Sequence, residues 1–284
     1  MSQQAAFNVP PIPESTRAEW DRVAPGYDRT NTPTQMWLGD QGLRRAGLGR
    51  GMQFLDVAAG SGALSIPAAR LGATVLATDQ SPVMLTLLSK RAESEGLQMQ
   101  TRAMDGHALD LDDDSFDVAG SQFGVMLFPD MPRGLREMAR VVRPGGRVLM
   151  TVYGDPRKID FLGFFVRAVQ SVRADFSGPP ADPPPLPFQL QDPARLEREL
   201  IGAGLKDVSV ETVTETTEHR TGDDLWEWLI WSNPIVDTIL DSIDLSDTER
   251  TKVRRTLDRL VRERAGTTGA AKLTNPVHIG VGTK

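Results

Sequence analysis

The 284-residue chain contains no cysteine, so disulfides, thiolate nucleophiles and cysteine-based metal sites are excluded. It has only three histidines, and none has the spacing to carboxylates that a metal site needs, so no metal is expected. It also lacks an apolar run long enough to cross a bilayer. The first residues carry no basic region followed by an apolar run, as a signal peptide would. We therefore expect a cytoplasmic protein without a membrane span.

The chain has no block of positive charge either. Its net charge is −6 and its pI is about 5.2. The most basic cluster, Lys252 to Arg255 with the arginines that follow it, is interleaved with acids, which is typical of a solvated helix face. Nucleic acid is therefore not expected as a partner.

The regular feature of the chain is an alternation of strand and helix patterns between residues 54 and 153. Such an alternation predicts an α/β fold, with a doubly wound, mostly parallel, seven-stranded Rossmann-like sheet and helical lid insertions. The chain then divides into four expected parts: a flexible arm (1–13), N-terminal cap helices (14–50), a ligand-binding core (51–153) and a C-terminal part of the sheet with substrate-covering helices (154–284).

Two predictions concern the flanks of this core. The spacing of Trp20, Val23 and Tyr27 predicts a helix that breaks at Pro25-Gly26, because proline interrupts a helix. On the other side, alternating patterns at 208–216 and 277–281 predict two edge strands. Two helical stretches lie between them, and we interpret these as an inserted lid.

A glycine turn follows the first predicted strand and is the most informative stretch. The residues run from Asp56 through Gly60-Ser61-Gly62 to Ser65, so the third glycine of a dinucleotide-binding G-x-G-x-x-G pattern is missing. Asp56 precedes the turn, where its carboxylate would repel a pyrophosphate but attract a cation. The pattern favours a cationic cofactor such as S-adenosylmethionine, which carries a sulfonium and an ammonium group. A nicotinamide-dependent oxidoreductase remains the alternative.

The stretch from Asp56 to Gly62 resembles motif I of the class I S-adenosylmethionine-dependent methyltransferases. Further matches follow in order: Asp79 at the end of strand 2, Asp105-Gly106-His107 after strand 3, and the segments 114–118 and 140–146. They cover roughly residues 50–153. Residues 20–28 also resemble the N-terminal segment of the ubiquinone- and menaquinone-pathway (methyltransferase type 11) branch.

The resemblance implies S-adenosyl-L-methionine as cofactor and S-adenosyl-L-homocysteine as product. It implies that Tyr27 closes over the methionine end, that Asp79 holds the ribose hydroxyls, and that Asp105 contacts the adenine amino group. The cofactor-binding residues expected are Tyr27, Asp56, Ala58, Gly60, Gly62, Asp79, Gln80, Met84, Asp105, Gly106, His107 and Gln122.

The acceptor is expected to be a small, partly apolar or aromatic molecule, because the region after strand 5 is rich in aromatic residues. Those residues suit the core of a lid equally well. The expected substrate contacts are Phe123 and Met126, just beyond strand 4, and Trp226 and Trp231 in the lid.

No catalytic residue is assigned from the sequence, although His107 and Tyr27 are candidates. A methyl transfer mainly needs alignment of its reactants, so the lack of a catalytic triad does not count against it. A homodimer is possible. A non-catalytic binding module on the same fold stays open beside the oxidoreductase.

Overall fold

The structure is a computed structural model that describes residues 16–178, 183–232, 234–267 and 269–284. The expected flexible arm, residues 1–13, lies outside the described residues.

The core is a seven-stranded sheet in the order β3-β2-β1-β4-β5-β7-β6. The first five strands pair in parallel, and β7 lies antiparallel between β5 and β6. The predicted α/β fold with a mostly parallel sheet is confirmed. The strands are β1 Gln53–Val57, β2 Thr74–Asp79, β3 Gln100–Ala103, β4 Phe116–Gln122, β5 Val142–Tyr153, β6 Lys206–His219 and β7 Ala271–Thr283.

Several helices start where the sequence offers a capping side chain. The Ser81 hydroxyl accepts the amide N–H of Met84, and Pro82 occupies the first turn, as its fixed φ allows. Ser246 and Glu249 form a capping box at the start of α10. The helices are α1 Arg17–Thr30, α2 Thr32–Arg45, α3 Ser65–Arg70, α4 Pro82–Ser94, α5 Met131–Val141, α6 Asp160–Gln170, α7 Pro193–Gly202, α8 Gly222–Ser232, α9 Ile235–Ser242 and α10 Asp247–Ala265.

Both faces of the sheet are covered, so its central strands β1 and β4 are buried along nearly their whole length. Leu135 of α5 and Leu196 of α7 belong to the core on one face. Leu43 of α2 and Leu64 belong to the core on the other face. A third apolar core joins α6, α8 and α10 beyond β5. The helices that follow β5 therefore form a layer with a core of its own.

The predicted break of the first helix at Pro25-Gly26 is wrong. Helix α1 runs through Pro25 to Thr30. Pro25 is exposed, so water can reach the carbonyl group that lacks its usual partner. Val23, Ala24 and Gly26 are buried on the opposite face, where α1 packs on α4 and α8. This packing outweighs the local preference of proline.

The predicted arrangement of the C-terminal lid also needs correction. Three helices, α8 to α10, separate β6 from β7, because the first predicted helical stretch divides near Pro234. Moreover, β7 is not an edge strand, since it pairs with β5 on one side and β6 on the other. The helices therefore connect two adjacent antiparallel strands.

Strand β5 begins at Val142 and contains Pro144-Gly145-Gly146, which belong to the segment 140–146 that resembles the methyltransferase family. The register against β4 jumps between Phe116 and Val118, so these residues form a bulge. Gly145 has a φ of +81°, and its N–H donates to the carbonyl of Lys284. The bulge thus ties the start of β5 to the end of the described chain.

Candidate active site

A cavity of about 350 Å³ lies beyond the carboxyl ends of β1, β2, β3 and β4. Ligands bind at this edge of open α/β sheets because the loops diverge there. All of the predicted cofactor-binding residues except Gly62 line this cavity. We call it the cofactor cavity.

The turn after β1 brings bare backbone to this cavity. Ala58, Gly60 and Gly62 all have positive φ values, of 56°, 54° and 102°. Such a conformation is strained for alanine, and strain of this kind is typical of functional turns. A side chain at Gly62 would press on Leu88 and Ile66, so Gly62 serves the packing of the turn and does not face the cavity.

Asp56 is a buried carboxylate in the cavity wall. One oxygen, Oδ2, accepts a hydrogen bond from the Ser65 hydroxyl at 2.5 Å. The other, Oδ1, has no hydrogen-bond partner. Burial raises the pKa of Asp56 to about 7, against the lowering effect of Ser65, and the nearby charge of Asp79 also raises it. A cation at Oδ1 would restore the ionised form.

Asp79 fixes the glycine turn from the neighbouring strand. Its two oxygens accept the N–H groups of Gly60 (2.9 Å) and Ser81 (2.8 Å). Burial raises its pKa, and these backbone hydrogen bonds oppose that rise. Each carboxylate oxygen has a second lone pair, so Asp79 can still accept hydrogen bonds from a ligand.

The third acid, Asp105, lies where the cofactor cavity is more open to solvent. Asp105 has a largely exposed side chain, and its Oδ1 accepts the backbone N–H of His107 at 2.9 Å. The His107 ring also contacts this oxygen and packs on Phe128, with 4.4 Å between ring centroids. A side chain at Gly106 would collide with Phe128. These residues form one aromatic wall of the cofactor cavity.

Tyr27 and Gln122 meet at Gln35 of α2. The Tyr27 hydroxyl donates to Gln35 Oε1 at 3.1 Å, and Gln122 Nε2 donates to the Gln35 carbonyl at 3.0 Å. Burial, with the charge of Asp79, raises the pKa of Tyr27 above its ordinary value. Tyr27 therefore stays protonated at neutral pH, which argues against its use as a general base.

A second cavity, of about 110 Å³, adjoins the first and is lined mostly by apolar side chains. We call it the apolar cavity. Phe123 lines both cavities and stacks on Tyr153, with 4.3 Å between ring centroids. Its φ of 58° is strained for a bulky residue. The residues common to both cavities are Trp20, Tyr27, Phe123, Leu127 and Pro187.

The four predicted substrate residues divide into two pairs. Phe123 lines both cavities, and Met126 lines the apolar cavity. Trp226 and Trp231 line neither. Trp226 is buried in the core of the C-terminal helices, and Trp231 packs against α1 at Gly26. The structure thus favours the lid-core interpretation for these two tryptophans.

Several cavity residues were missed at the sequence level. Tyr153 ends β5, so the rule that ligands lie beyond strand ends was a usable signal for it. Gln35 and Leu162 gave no signal, because only the packing of α2 and α6 brings them there. The further residues in the walls that were not predicted as site residues include Trp20, Met104, Leu127, Phe128, Phe161, Phe165, Leu186, Pro187, Phe188, Leu229, Val236 and Ile239.

The described residues contain no group of three or more histidine, cysteine or acidic residues that could hold a metal ion. No helix in the described ranges is long and apolar enough to cross a membrane.

Comparison with known proteins identifies the core. Residues 55–150 match a family model described as a methyltransferase domain. An uncharacterised protein of Mycobacterium tuberculosis is 40% identical over 148 residues, which is 52% of each chain. A ubiquinone/menaquinone biosynthesis C-methyltransferase of Bdellovibrio bacteriovorus is 34% identical over 153 residues, covering 52% of this chain and 65% of the relative.

A solved structure shows the same fold. Haemonchus contortus phosphoethanolamine N-methyltransferase 2, in complex with S-adenosyl-L-methionine, aligns with a TM-score of 0.51 and 18% identity, covering 87% of this chain and 52% of that one. The chain spans about half the length of the first curated relatives that it matches. Together with the turn, the acids and the sheet order, these matches show that residues 55–150 are similar to methyltransferase domains.

Proposed function

We propose that this protein transfers a methyl group from S-adenosylmethionine to a small, partly apolar or aromatic acceptor. The observation that carries this proposal is the pair of adjoining cavities. One contains a buried carboxylate oxygen without a partner, and the other is almost wholly apolar. Tyr27 and Phe123 belong to both walls, where a donor and an acceptor would meet.

The cofactor cavity fits S-adenosylmethionine part by part. The Oδ1 of Asp56, which has no hydrogen-bond partner, would attract a cationic group and would repel the negative charge of a pyrophosphate. The spare lone pairs of Asp79 match the ribose hydroxyls. The wall formed by Gly106, His107 and Phe128 offers a surface for the adenine ring to pack against. The remaining residues proposed to bind are Tyr27, Ala58, Gly60, Gln80, Met84, Asp105 and Gln122.

The proposed domain roles follow from this placement. Helices α1 and α2, within residues 14–50, cap the cofactor cavity through Tyr27 and the apolar cavity through Gln35. Residues 51–153 bind the cofactor. Residues 154–284 supply most of the residues that line the apolar cavity, including Phe161, Phe165 and Phe188.

The bound cofactor supplies a methyl group on a sulfonium, a leaving group that is already activated. The protein must therefore align the acceptor and exclude water. The ring of Phe123 stacks on Tyr153 and lies in the wall that the two cavities share. The surrounding apolar walls keep the reacting groups out of water, which strengthens the attraction of Asp56 for the cationic donor.

The chemistry of the acceptor is inferred from the walls. Aromatic side chains that stack or meet edge to face are suited to an aromatic ring. The name of the Bdellovibrio relative refers to quinone biosynthesis, which supports the choice of a ring compound as acceptor.

A transfer assay with methyl-labelled S-adenosylmethionine and a panel of hydroxylated one- and two-ring aromatics tests the proposal. We expect labelled product with at least one of them. Leu162→Trp, which would fill part of the apolar cavity, should lower transfer by about tenfold or more and leave S-adenosylhomocysteine affinity unchanged. Leu71→Trp, at an exposed leucine outside both cavities, is the control. Undiminished transfer by Leu162→Trp would place the acceptor elsewhere.

A further inference from the structure

The apolar cavity has few hydrogen-bonding groups in its wall. Among the described residues that line it, those with a side-chain hydroxyl, amide or indole N–H are Trp20, Tyr27, Gln35, Tyr153 and Ser232. A buried polar group needs a hydrogen-bond partner. A polar atom on a ligand in this cavity must therefore meet one of these side chains, so they decide which acceptors are recognised.

Gln35 is the amide in this wall, and contacts with the cofactor side fix its position. It lies on α2 and is 4% exposed. Its backbone carbonyl accepts Gln122 Nε2 at 3.0 Å, which ties this turn of α2 to the end of β4. At the start of α2, the hydroxyl groups of Thr32 and Ser61 hydrogen-bond at 2.5 Å, and Ser61 belongs to the glycine turn. Helix α2 thus holds Gln35 at a fixed place beside the cofactor cavity.

The hydrogen bond from Tyr27 sets the direction of the Gln35 side chain. Oε1 accepts the Tyr27 hydroxyl at 3.1 Å. The amide nitrogen Nε2 carries two N–H groups that point in different directions. The Tyr153 hydroxyl, within hydrogen-bonding reach of this side chain, can accept at most one of them. The other N–H is a donor for a ligand in the apolar cavity.

Two of the remaining polar groups already use their protons within the fold. The Ser232 hydroxyl donates to the carbonyl of Leu229 in its own helix at 2.7 Å. The Tyr27 hydroxyl donates to Gln35. Gln35 therefore combines a donor for a ligand with a position fixed by contacts on the cofactor side.

We propose that Gln35 recognises the acceptor, donating from its side-chain amide to a carbonyl or hydroxyl oxygen on the ring compound. This inference rests on the proposed function and adds the polar group by which the acceptor is selected. Gln35 is then a residue that determines specificity, and an aromatic hydrocarbon without such an oxygen is a poor acceptor.

The arrangement also orients the acceptor. Tyr27 lines both cavities and contacts Gln35 directly, so an oxygen bound at Gln35 lies near the boundary with the cofactor cavity. The rest of the ring compound would pack on apolar side chains such as Phe161, Phe165 and Ile239. The oxygenated end would thus face the methyl donor.

The first test compares two ligands that differ by one oxygen. The full chain, saturated with S-adenosylhomocysteine, is titrated with 1-tetralone and with tetralin. The readout is the ratio of the two dissociation constants, because loss of cavity shape weakens both ligands alike. Gln35→Met leaves the ketone oxygen without its donor, so the preference for 1-tetralone should fall by about fivefold or more relative to the wild type. An unchanged preference would overturn the inference.

Matched variants separate Gln35 from its surroundings. Gln41→Met, on the same helix but with its side chain held by Arg45, should keep the wild-type preference. Trp20→Phe, Tyr153→Phe and Ser232→Ala should each lower the preference by less than Gln35→Met does. A larger loss in any of these three would assign recognition to that side chain and overturn the role of Gln35.

A second substitution covers a failure of Gln35→Met to fold, which S-adenosylhomocysteine binding would reveal. Gln35→Glu keeps an oxygen for the Tyr27 hydroxyl and, when ionised, has no donor. It should show the same loss of preference for 1-tetralone at pH 8. A retained preference in Gln35→Glu would contradict donation from Nε2.

Turnover separates this inference from the proposed function. In the transfer assay, Gln35→Met should raise KM for an oxygenated aromatic by about fivefold and leave KM for S-adenosylmethionine within about twofold. If S-adenosylhomocysteine does not bind, or no aromatic in the panel is methylated, the proposed function is wrong. If methylation proceeds and Gln35→Met changes neither the ligand preference nor this KM, the proposed function stands and the role of Gln35 is wrong.

Discussion

Asp56 shows how one buried carboxylate links ligand choice to stability. Its folded-state pKa, raised by burial from 3.8 to about 7, means that the folded protein holds this proton more tightly than the unfolded chain. The contribution of Asp56 to stability is thus fully present below about pH 4 and is lost as pH rises to about 7. A bound cation would offset this loss of stability. The ligand-free protein is therefore destabilised at neutral pH by the same carboxylate that would attract a cationic ligand.

Asp56→Asn should therefore become more stable relative to the wild type as pH rises from 5 to 8. We expect the difference in unfolding free energy to grow by an amount on the order of a few kcal/mol. The same variant should bind S-adenosylhomocysteine more weakly, since the ligand ammonium group loses its counter-charge. Thermal unfolding of both proteins across this pH range measures the effect. Asp110→Asn, at an exposed side chain, is the control. A difference that does not change with pH would show that Asp56 is not held protonated in the fold.

Asp79→Ala should weaken S-adenosylhomocysteine binding by roughly thirtyfold or more, because it removes the acceptor for the Gly60 and Ser81 amides as well as the ribose contact. Asp105→Ala should have a smaller effect, about threefold, since its side chain is largely exposed. Calorimetric titration of both variants gives the comparison. A larger loss for Asp105 would mean that the adenine side, not the ribose side, dominates affinity.

For individual residues, the sequence predicted the site residues at the ends of strands better than those on helices. The position of Asp56 at the end of β1, shortly before the glycines, was sufficient to predict that it lies beside the turn. Ser65 was interpreted only as a missing glycine, whereas it is the hydrogen-bond partner of Asp56. Gln35 could not be predicted, because its contact with Tyr27 depends on how α2 packs over the sheet.

At the scale of elements, the contact between α1 and α8 holds the cap over the cofactor cavity. Gly26 of α1 and Trp231 of α8 pack so closely that any side chain at position 26 would overlap the indole ring. The sequence shows a proline and a glycine here, and both are ordinarily helix breakers. The helix continues through both residues because of its packing against α8, and the local sequence alone does not show that packing.

Gly26→Ala should destabilise the protein by about 1–3 kcal/mol, because the ring or the helix must move. It should also weaken S-adenosylhomocysteine binding, since Tyr27 is the next residue on α1. Gly163→Ala is the matched control: this helical glycine of α6 has open space around it, and alanine there should stabilise by about 0.5–1 kcal/mol. Chemical denaturation and ligand titration of both variants provide the measurements. Equal stabilisation by the two substitutions would show that the α1–α8 contact is looser than described.

At the scale of the whole molecule, the two halves of the chain carry different information. Residues 55–150 match a known domain. The alternation of their strands and helices, and the sheet edge at which a ligand would bind, could be predicted from the motifs. The helices after β5 carry no motif, so the sequence showed their aromatic content and not which rings line a cavity. Phe161 faces the apolar cavity while Trp226 fills the core, and this difference depends on the mutual packing of α6, α8 and α10.

We propose that the cavity beside Asp56 and Asp79 binds S-adenosylmethionine. Thermal unfolding of the wild type, titrated in parallel with S-adenosylhomocysteine and with NAD⁺, tests this most directly. At about a hundredfold excess over the dissociation constant, S-adenosylhomocysteine should stabilise the fold by about 2.7 kcal/mol, and NAD⁺ should produce no shift. Stabilisation by NAD⁺ and none by S-adenosylhomocysteine would mean that the cavity binds a nicotinamide dinucleotide instead.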